Sequence, residues 1–187
     1  WSPAAAAMTD AIQASAAPRP VGRYPHARHA GGLLFLSGIG PRDPASDSVP
    51  GNVLDDRGRV AAHDIAAQTR AVFANVRAVL EASGARWEDL VDVTVYLTDM
   101  AGDFAGYNAI WAEYFPDPDT APCRTTLGID ALPTPIAIEM KCIATPGREP
   151  MPLARPAGGA GTTGAADGGV SAADADLPAT RATGVNA

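Results

Sequence analysis

Ile136-Ala137-Ile138-Glu139-Met140-Lys141-Cys142-Ile143-Ala144 is an apolar run carrying one carboxylate and one ammonium, two residues apart. Alternation along an extended chain puts Ile136, Ile138, Met140 and Cys142 on one face of a strand and Ala137, Glu139, Lys141 and Ile143 on the other. The first face belongs in a core. The second is neither cleanly polar nor cleanly apolar, so a sheet built on this strand is expected to cover it by sheet-to-sheet association between subunits. Upstream, Arg124 to Ile129 reads as another strand, joined to the first by a turn through Pro133 and Pro135. Val91, Val93, Val95 and Leu97 alternate with Asp92, Thr94, Tyr96 and Thr98, the pattern of a half-buried strand.

Between the strands the period changes. Ile65, Val72, Phe73, Val76, Val79 and Leu80 recur at three and four, with Asp64 placed to cap the start and Gly84 the end. Phe104, Tyr107, Trp111, Tyr114 and Phe115 mark a second helix, with Asp103 as its candidate N-cap and Pro116 as its stop. Leu33-Leu34-Phe35-Leu36-Ser37 reads as a buried strand entered through Gly31-Gly32, with Arg23 to His29 as its hairpin partner. Gly40 to Ala61, rich in Pro, Gly and charge, is expected to be a long loop of the kind that serves function. The expected order is β-β-α-β-α-β-β, an α+β layer with two helices on one face of a mixed sheet.

Composition bounds the rest. The 187 residues are 47% hydrophobic and 19% charged, which suits one globular domain with tails. Residues 1–19 are mostly Ala, Pro and Ser, with Met8 a candidate natural start, and residues 148–187 contain seven Gly, eleven Ala and no aromatic. Such segments do not bury enough apolar surface to offset a backbone ordering cost of roughly 1 to 2 kcal/mol per residue. Both ends are therefore expected to be disordered, with the domain at 20–147. A formal charge of −7 argues against nucleic acid or an anionic membrane as partner. There is no apolar run of spanning length, and the expected location is cytoplasmic. Cys123 and Cys142 supply neither a disulfide framework nor a zinc site, so no metal is expected. Lys141 is the single lysine, so a Schiff-base or pyridoxal-phosphate mechanism would have to rest on it.

Few polar residues stand in unusual places. Arg124 opens a strand after Pro122-Cys123, and its guanidinium offers a two-pronged donor for a carboxylate. Glu139, in an apolar surround, is a carboxyl suited to moving protons near neutral pH. Two readings stand: a structural cross-strand Arg124–Glu139 ion pair, or an Arg and a Glu facing one cavity, in a hairpin or at a subunit boundary. His63 reads as a cap or surface group and Cys123 as a buried, inert thiol. Trp87, Trp111, Tyr107 and Tyr114 read as packing.

Tyr24, Ser37-Gly38, Asn108 in Gly106-Tyr107-Asn108, Ala121-Pro122-Cys123-Arg124-Thr125-Thr126 and Ile138-Glu139-Met140, in this order and spacing, resemble the RidA/YjgF family of enamine and imine deaminases. The resemblance covers about residues 20 to 145. It implies a chorismate-mutase-like fold in a homotrimer, with the sheets forming a central barrel and active sites in the clefts between subunits. It further implies that Arg124 grips the substrate carboxylate, that Glu139 orients or activates the attacking water, and that Tyr24, Ser37, Gly38, Asn108 and Thr126 line the cavity. No cofactor is implied. Thr126 stands where many members have Cys, which removes a thiol from the site.

Gly22-Arg23-Tyr24-Pro25-His26, the long Gly40 to Ala61 segment and Ala67-Gln68-Thr69-Arg70-Ala71-Val72 look most like the 2-aminomuconate deaminase branch. That resemblance implies deamination of 2-aminomuconate to 4-oxalocrotonate (2-oxohex-3-enedioate) in aromatic catabolism. A dicarboxylate needs a second anion partner, for which Arg23, His26 and Arg28 are candidates beside Tyr24. The alternatives are a general 2-aminoacrylate/2-iminopropanoate deaminase and a non-catalytic trimer that binds a small carboxylate.

Overall fold

The computed structural model describes residues 11–147; the 148–187 tail and residues 1–10 lie outside the described residues. The elements are β1 (Ala11–Ile12), β2 (Ala27–Ala30), β3 (Leu33–Leu36), β4 (Val53–Leu54), β5 (Val60–Ala62), α1 (Ile65–Ala82), β6 (Leu90–Leu97), α2 (Met100–Tyr114), β7 (Cys123–Gly128) and β8 (Ile138–Ala144). One mixed sheet runs β1-β2-β3-β8-β6-β7, and β4-β5 form a separate hairpin. The α+β reading with two helices on a mixed sheet agrees with this architecture.

β8, the strand of the alternating run, lies between β3 and β6 and is antiparallel to both. Its even-numbered residues Ile138, Met140, Cys142 and Ala144 are all buried, packed with Leu34 and Leu36 of β3 and Val93, Val95 and Leu97 of β6. Helix α1 adds Val72, Phe73, Val76, Val79 and Leu80 to that core, and α2 adds Tyr107, Ile110 and Trp111. The Asp64 carboxylate accepts from the Ala67 N–H at 3.0 Å and so starts α1 where the pattern placed it. Gly31 and Gly32, with φ of +59° and +79°, make the two-residue turn that sets Ala30 opposite Leu33, a conformation glycine adopts without strain.

Several expectations are corrected. The domain begins before residue 20, because Ala11–Ile12 pair with β2 and Ala14 and Ala17 are buried in the core. The hairpin partner of β3 is Ala27–Ala30, since Tyr24 and Pro25 lie in irregular chain before it. The cap of α2 is Asp99, whose carboxylate accepts from Gly102 N–H, so the helix starts a turn before Asp103. Asp103 is instead buried and hydrogen-bonded to His63 at 2.9 Å, which makes His63 a tie between the end of the long segment and α2. The long segment also contains the β4–β5 hairpin. Cys123 is exposed, and Cys142 is the buried thiol, its pKa pushed up to about 12 by burial.

The largest correction concerns connectivity. β7 follows β6 through α2 and pairs with it in parallel, so β6 separates β7 from β8 and no Arg124–Glu139 cross-strand pair exists. Register then sorts the side chains: Arg124 lies beside Val93, which lies beside Cys142, on the helix-covered face. Glu139 lies beside Tyr96, which lies beside Leu127, on the other face. Arg124 and Glu139 of one chain therefore point to opposite sides of the sheet.

Two amides on α1 hold the segments around this sheet. Ala137 N–H donates to Gln68 Oε1 at 2.8 Å, Gln68 Nε2 donates to Asn52 Oδ1 at 2.8 Å, and Asn52 Nδ2 donates to the Pro135 carbonyl at 2.8 Å. Asn75 Nδ2 donates to the carbonyls of Gly40 and Arg42, both at 2.9 Å. Gln68 is fully buried, so truncating it strands Ala137 N–H without a partner. Gln68→Leu is expected to cost about 1 to 3 kcal/mol, read as a lower denaturant midpoint at unchanged slope.

Candidate functional site

A cavity of about 350 Å³ opens where the chain after β3 passes the start of β8. Tyr24, Ser37, Gly38, Arg42, Glu139 and Lys141 contribute to its wall, with Ile136 at its apolar end. Glu139 sits directly against Gly38: a Cβ there would lie 2.7 Å from the Glu139 carboxyl carbon and closer still to one oxygen. Only glycine leaves room for that carboxyl. Among the described residues no side chain or backbone group hydrogen-bonds it, and burial pushes its pKa above the ordinary carboxylate value.

The other residues on this side fall into distinct roles. The Ser37 hydroxyl donates to the Pro25 carbonyl at 2.7 Å, which leaves its oxygen free to accept. His26 lines the cavity but is buried with both nitrogens engaged: Ala14 N–H donates to Nδ1 at 3.1 Å, and Nε2–H donates to the Pro18 carbonyl at 2.9 Å. It therefore ties the first residues of the domain to β2. Tyr24 is exposed at the rim, whereas Arg23 lines a shallow depression on the far side of Tyr24, and Arg28 lies on the helix-free face of β2. The sequence candidates Tyr24, Ser37, Gly38, His26 and Glu139 are brought together; Arg23 is not.

Arg124, Asn108 and Thr126 gather elsewhere, around α2 and the β7 edge. Arg124 Nη1 donates to Asn108 Oδ1 at 2.9 Å, and its guanidinium carbon lies 4.8 Å from the Trp111 ring centre and 5.5 Å from that of Tyr107. Stacking and one hydrogen bond orient the fork while its remaining N–H donors stay available. The Tyr107 phenol is buried and pushed above its ordinary pKa by desolvation; Thr126 and Arg124 lie near enough to oppose that shift, but its hydroxyl makes no hydrogen bond. Behind these residues Phe73, Trp87, Trp111, Tyr114 and Phe115 form a ring cluster, with Phe73–Tyr114 centroids 4.5 Å and Trp111–Phe115 centroids 4.4 Å apart. The chain thus presents a carboxyl in a cavity and a stacked guanidinium at a sheet edge, on opposite faces.

Residues 14–146 match the family model described as Endoribonuclease L-PSP. The chain belongs to the RidA/YjgF family. A RutC family protein of Pyrococcus horikoshii is 39% identical over 137 residues, covering 73% of this chain and 98% of that protein. The chloroplastic Reactive Intermediate Deaminase A of Arabidopsis thaliana is 34% identical over 142 residues, covering 76% of this chain and 68% of that protein. Among solved structures, the YjgF gene product of E. coli superposes with a TM-score of 0.62 at 31% identity, over 73% of this chain and 98% of that one. E. coli TdcF with bound serine has a TM-score of 0.62 at 28% identity, over the same shares of the two chains. The fold of this RidA/YjgF member is accordingly the chorismate-mutase-like one.

Sequence reading did not single out Arg42 as a cavity residue, nor did it assign Lys141 to the site. Arg42 lies in the long segment expected to serve function, with no local pattern to mark it, and Lys141 stands out in sequence as the single lysine, on the same strand face as Glu139. Their position relative to Glu139 was nonetheless encoded, for Lys141, by its two-residue spacing.

The shifted Glu139 pKa has a thermodynamic consequence. Because the native carboxyl holds its proton more tightly than the unfolded one, stability falls as pH rises from the unfolded pKa through the native pKa. Glu139→Gln is therefore expected to raise Tm at pH 8 and to leave it unchanged at pH 3.5, measured by thermal unfolding at both values. An equal effect at the two pH values would show that burial does not perturb this carboxyl.

Proposed function

We propose that this RidA/YjgF member is a deaminase that hydrolyses an enamine or imine carboxylate with release of ammonia, and that 2-aminomuconate is its substrate. The observation that carries this reading is Glu139, a half-buried carboxyl with no hydrogen-bond partner among the described residues, set against Gly38 in a cavity sized for a small molecule. The name of the Arabidopsis relative and the serine bound to TdcF both support a small amino or imino carboxylate as ligand. The resemblance of the Gly22 to His26 stretch and of the long segment through β4–β5 to the 2-aminomuconate branch supports the six-carbon substrate.

Since Arg124 and Glu139 lie on opposite faces of one sheet, a site that uses both is made from two chains, with homotrimeric association as the proposed assembly. In that site Arg124 holds the substrate carboxylate as a forked donor. The enamine tautomerises to the imine, carbon gaining a proton from water and nitrogen giving one up to water. The Glu139 carboxylate removes a proton from water as the oxygen bonds to the imine carbon and hands it to the imine nitrogen, giving a neutral carbinolamine and leaving Glu139 ionised. Glu139 then takes the carbinolamine hydroxyl proton and passes it to the nitrogen as the C–N bond breaks, so ammonia leaves and the ketone forms. Holding water and imine in line supplies the acceleration, and no further group is required for the balance.

Ammonia release from freshly generated 2-aminomuconate, with 2-aminoacrylate in parallel, tests the reading. Arg124→Ala and Glu139→Gln are each expected to abolish turnover while keeping the oligomer's mass. Co-refolding the two variants at equal ratio is expected to restore about a quarter of the wild-type rate, because random assembly reunites both residues at that share of interfaces. No recovery in the mixture would place both groups in the same chain's site, and no turnover by the wild type would remove the deaminase reading. Turnover of 2-aminoacrylate alone would make it a general enamine-clearing enzyme.

A further inference from the structure

Lys141 shares the helix-free face of β8 with Glu139 and lines the same cavity. Residues two apart on a strand are about 6.7 Å apart, and the four-carbon lysine stem adds reach in any direction over the open face. Lys141 is exposed and makes no hydrogen bond or ion pair among the described residues. Thr94 lies directly opposite it on β6 and Asp92 diagonally, and neither engages the ammonium. The other cation on the cavity wall is already committed: Arg42 pairs with Asp47 and donates to the Arg19 carbonyl at 2.6 Å. His26 has no free nitrogen. Among the described residues the cavity therefore holds one cation without an ion pair or hydrogen bond, two strand residues from the carboxyl that handles water.

We infer that Lys141 is the anchor for a second, distal carboxylate, so that this cavity selects linear dicarboxylates over monocarboxylates. This rests on the proposed deaminase reading for the order of contacts: proximal carboxylate at Arg124 of a neighbouring chain, reacting carbon at Glu139, distal carboxylate at Lys141. In a six-carbon substrate that distal group lies four bonds from the reacting carbon, a span that the strand spacing and the lysine stem accommodate together. A three-carbon enamine has nothing to offer Lys141. The assignment differs from the candidates beside Tyr24: it moves the second anion contact from the β1–β2 region to the central strand.

Two non-reactive probes isolate the effect. Muconate and sorbate share the six-carbon diene and differ by the terminal carboxylate. Calorimetric titration of the wild-type protein is expected to show muconate binding roughly 10- to 100-fold tighter than sorbate, the worth of one charge-assisted contact. Lys141→Met is expected to bring that ratio close to one, and Lys141→Arg to preserve most of it. A preference that survives in Lys141→Met, or no preference in the wild type, would overturn the inference. Ammonia release is scored separately on the same preparations: a Lys141-dependent muconate preference without turnover would end the deaminase reading and keep the dicarboxylate site.

Discussion

Side-chain alternation along β8 is the constraint from which the rest follows. With β8 in the middle of the sheet, burying Ile138, Met140, Cys142 and Ala144 under the helices obliges Glu139, Lys141 and Ile143 to face the other way. A register slip of one residue would send a carboxylate and an ammonium into the core, at a cost far above that of any single contact. The apolar positions thereby position the catalytic candidate without touching it. Gly38 completes the arrangement from the neighbouring segment, giving the carboxyl a place to sit where any side chain would displace it.

The guanidinium on the opposite face is held differently. Arg124 lies on an edge strand, where a long cation is ordinarily mobile, yet it is stacked over Trp111 and tied to Asn108. Both partners come from α2, whose aromatic face also packs on Phe73 of α1. The packing cluster and the Arg124 guanidinium are thus one continuous stack, and part of the entropy of fixing the guanidinium is met during folding.

Much of the scaffold was legible locally. Period-three-and-four patterning located α1 and its Asp64 cap, and period-two patterning located β6 and β8, because each depends on neighbours within a few residues. The misplaced features share a different cause. The cap of α2 was set at Asp103 because two acidic residues compete for that role, and burial beside His63 decides between them. The start of the domain was set too late because Ala-rich sequence reads as tail, whereas Ala14 and Ala17 are small enough to pack beneath β2. Gln68 and Asn75 gave no signal, since a buried amide is recognisable only once the carbonyls and N–H groups it satisfies are in place.

By itself the sequence determined the types of the main elements, the two-faced character of β8 and the family. Those are properties of periodicity and of residue type, both carried by short stretches. Only the tertiary structure decided that β7 pairs in parallel with β6 and that Arg124 and Glu139 turn away from one another within a chain. It also put Arg42 and Lys141 on the wall of the cavity that holds Glu139 and left Arg23 off it. Strand order depends on how α2 crosses the sheet and on which edge it leaves open, a balance of long-range packing that no local stretch of residues records.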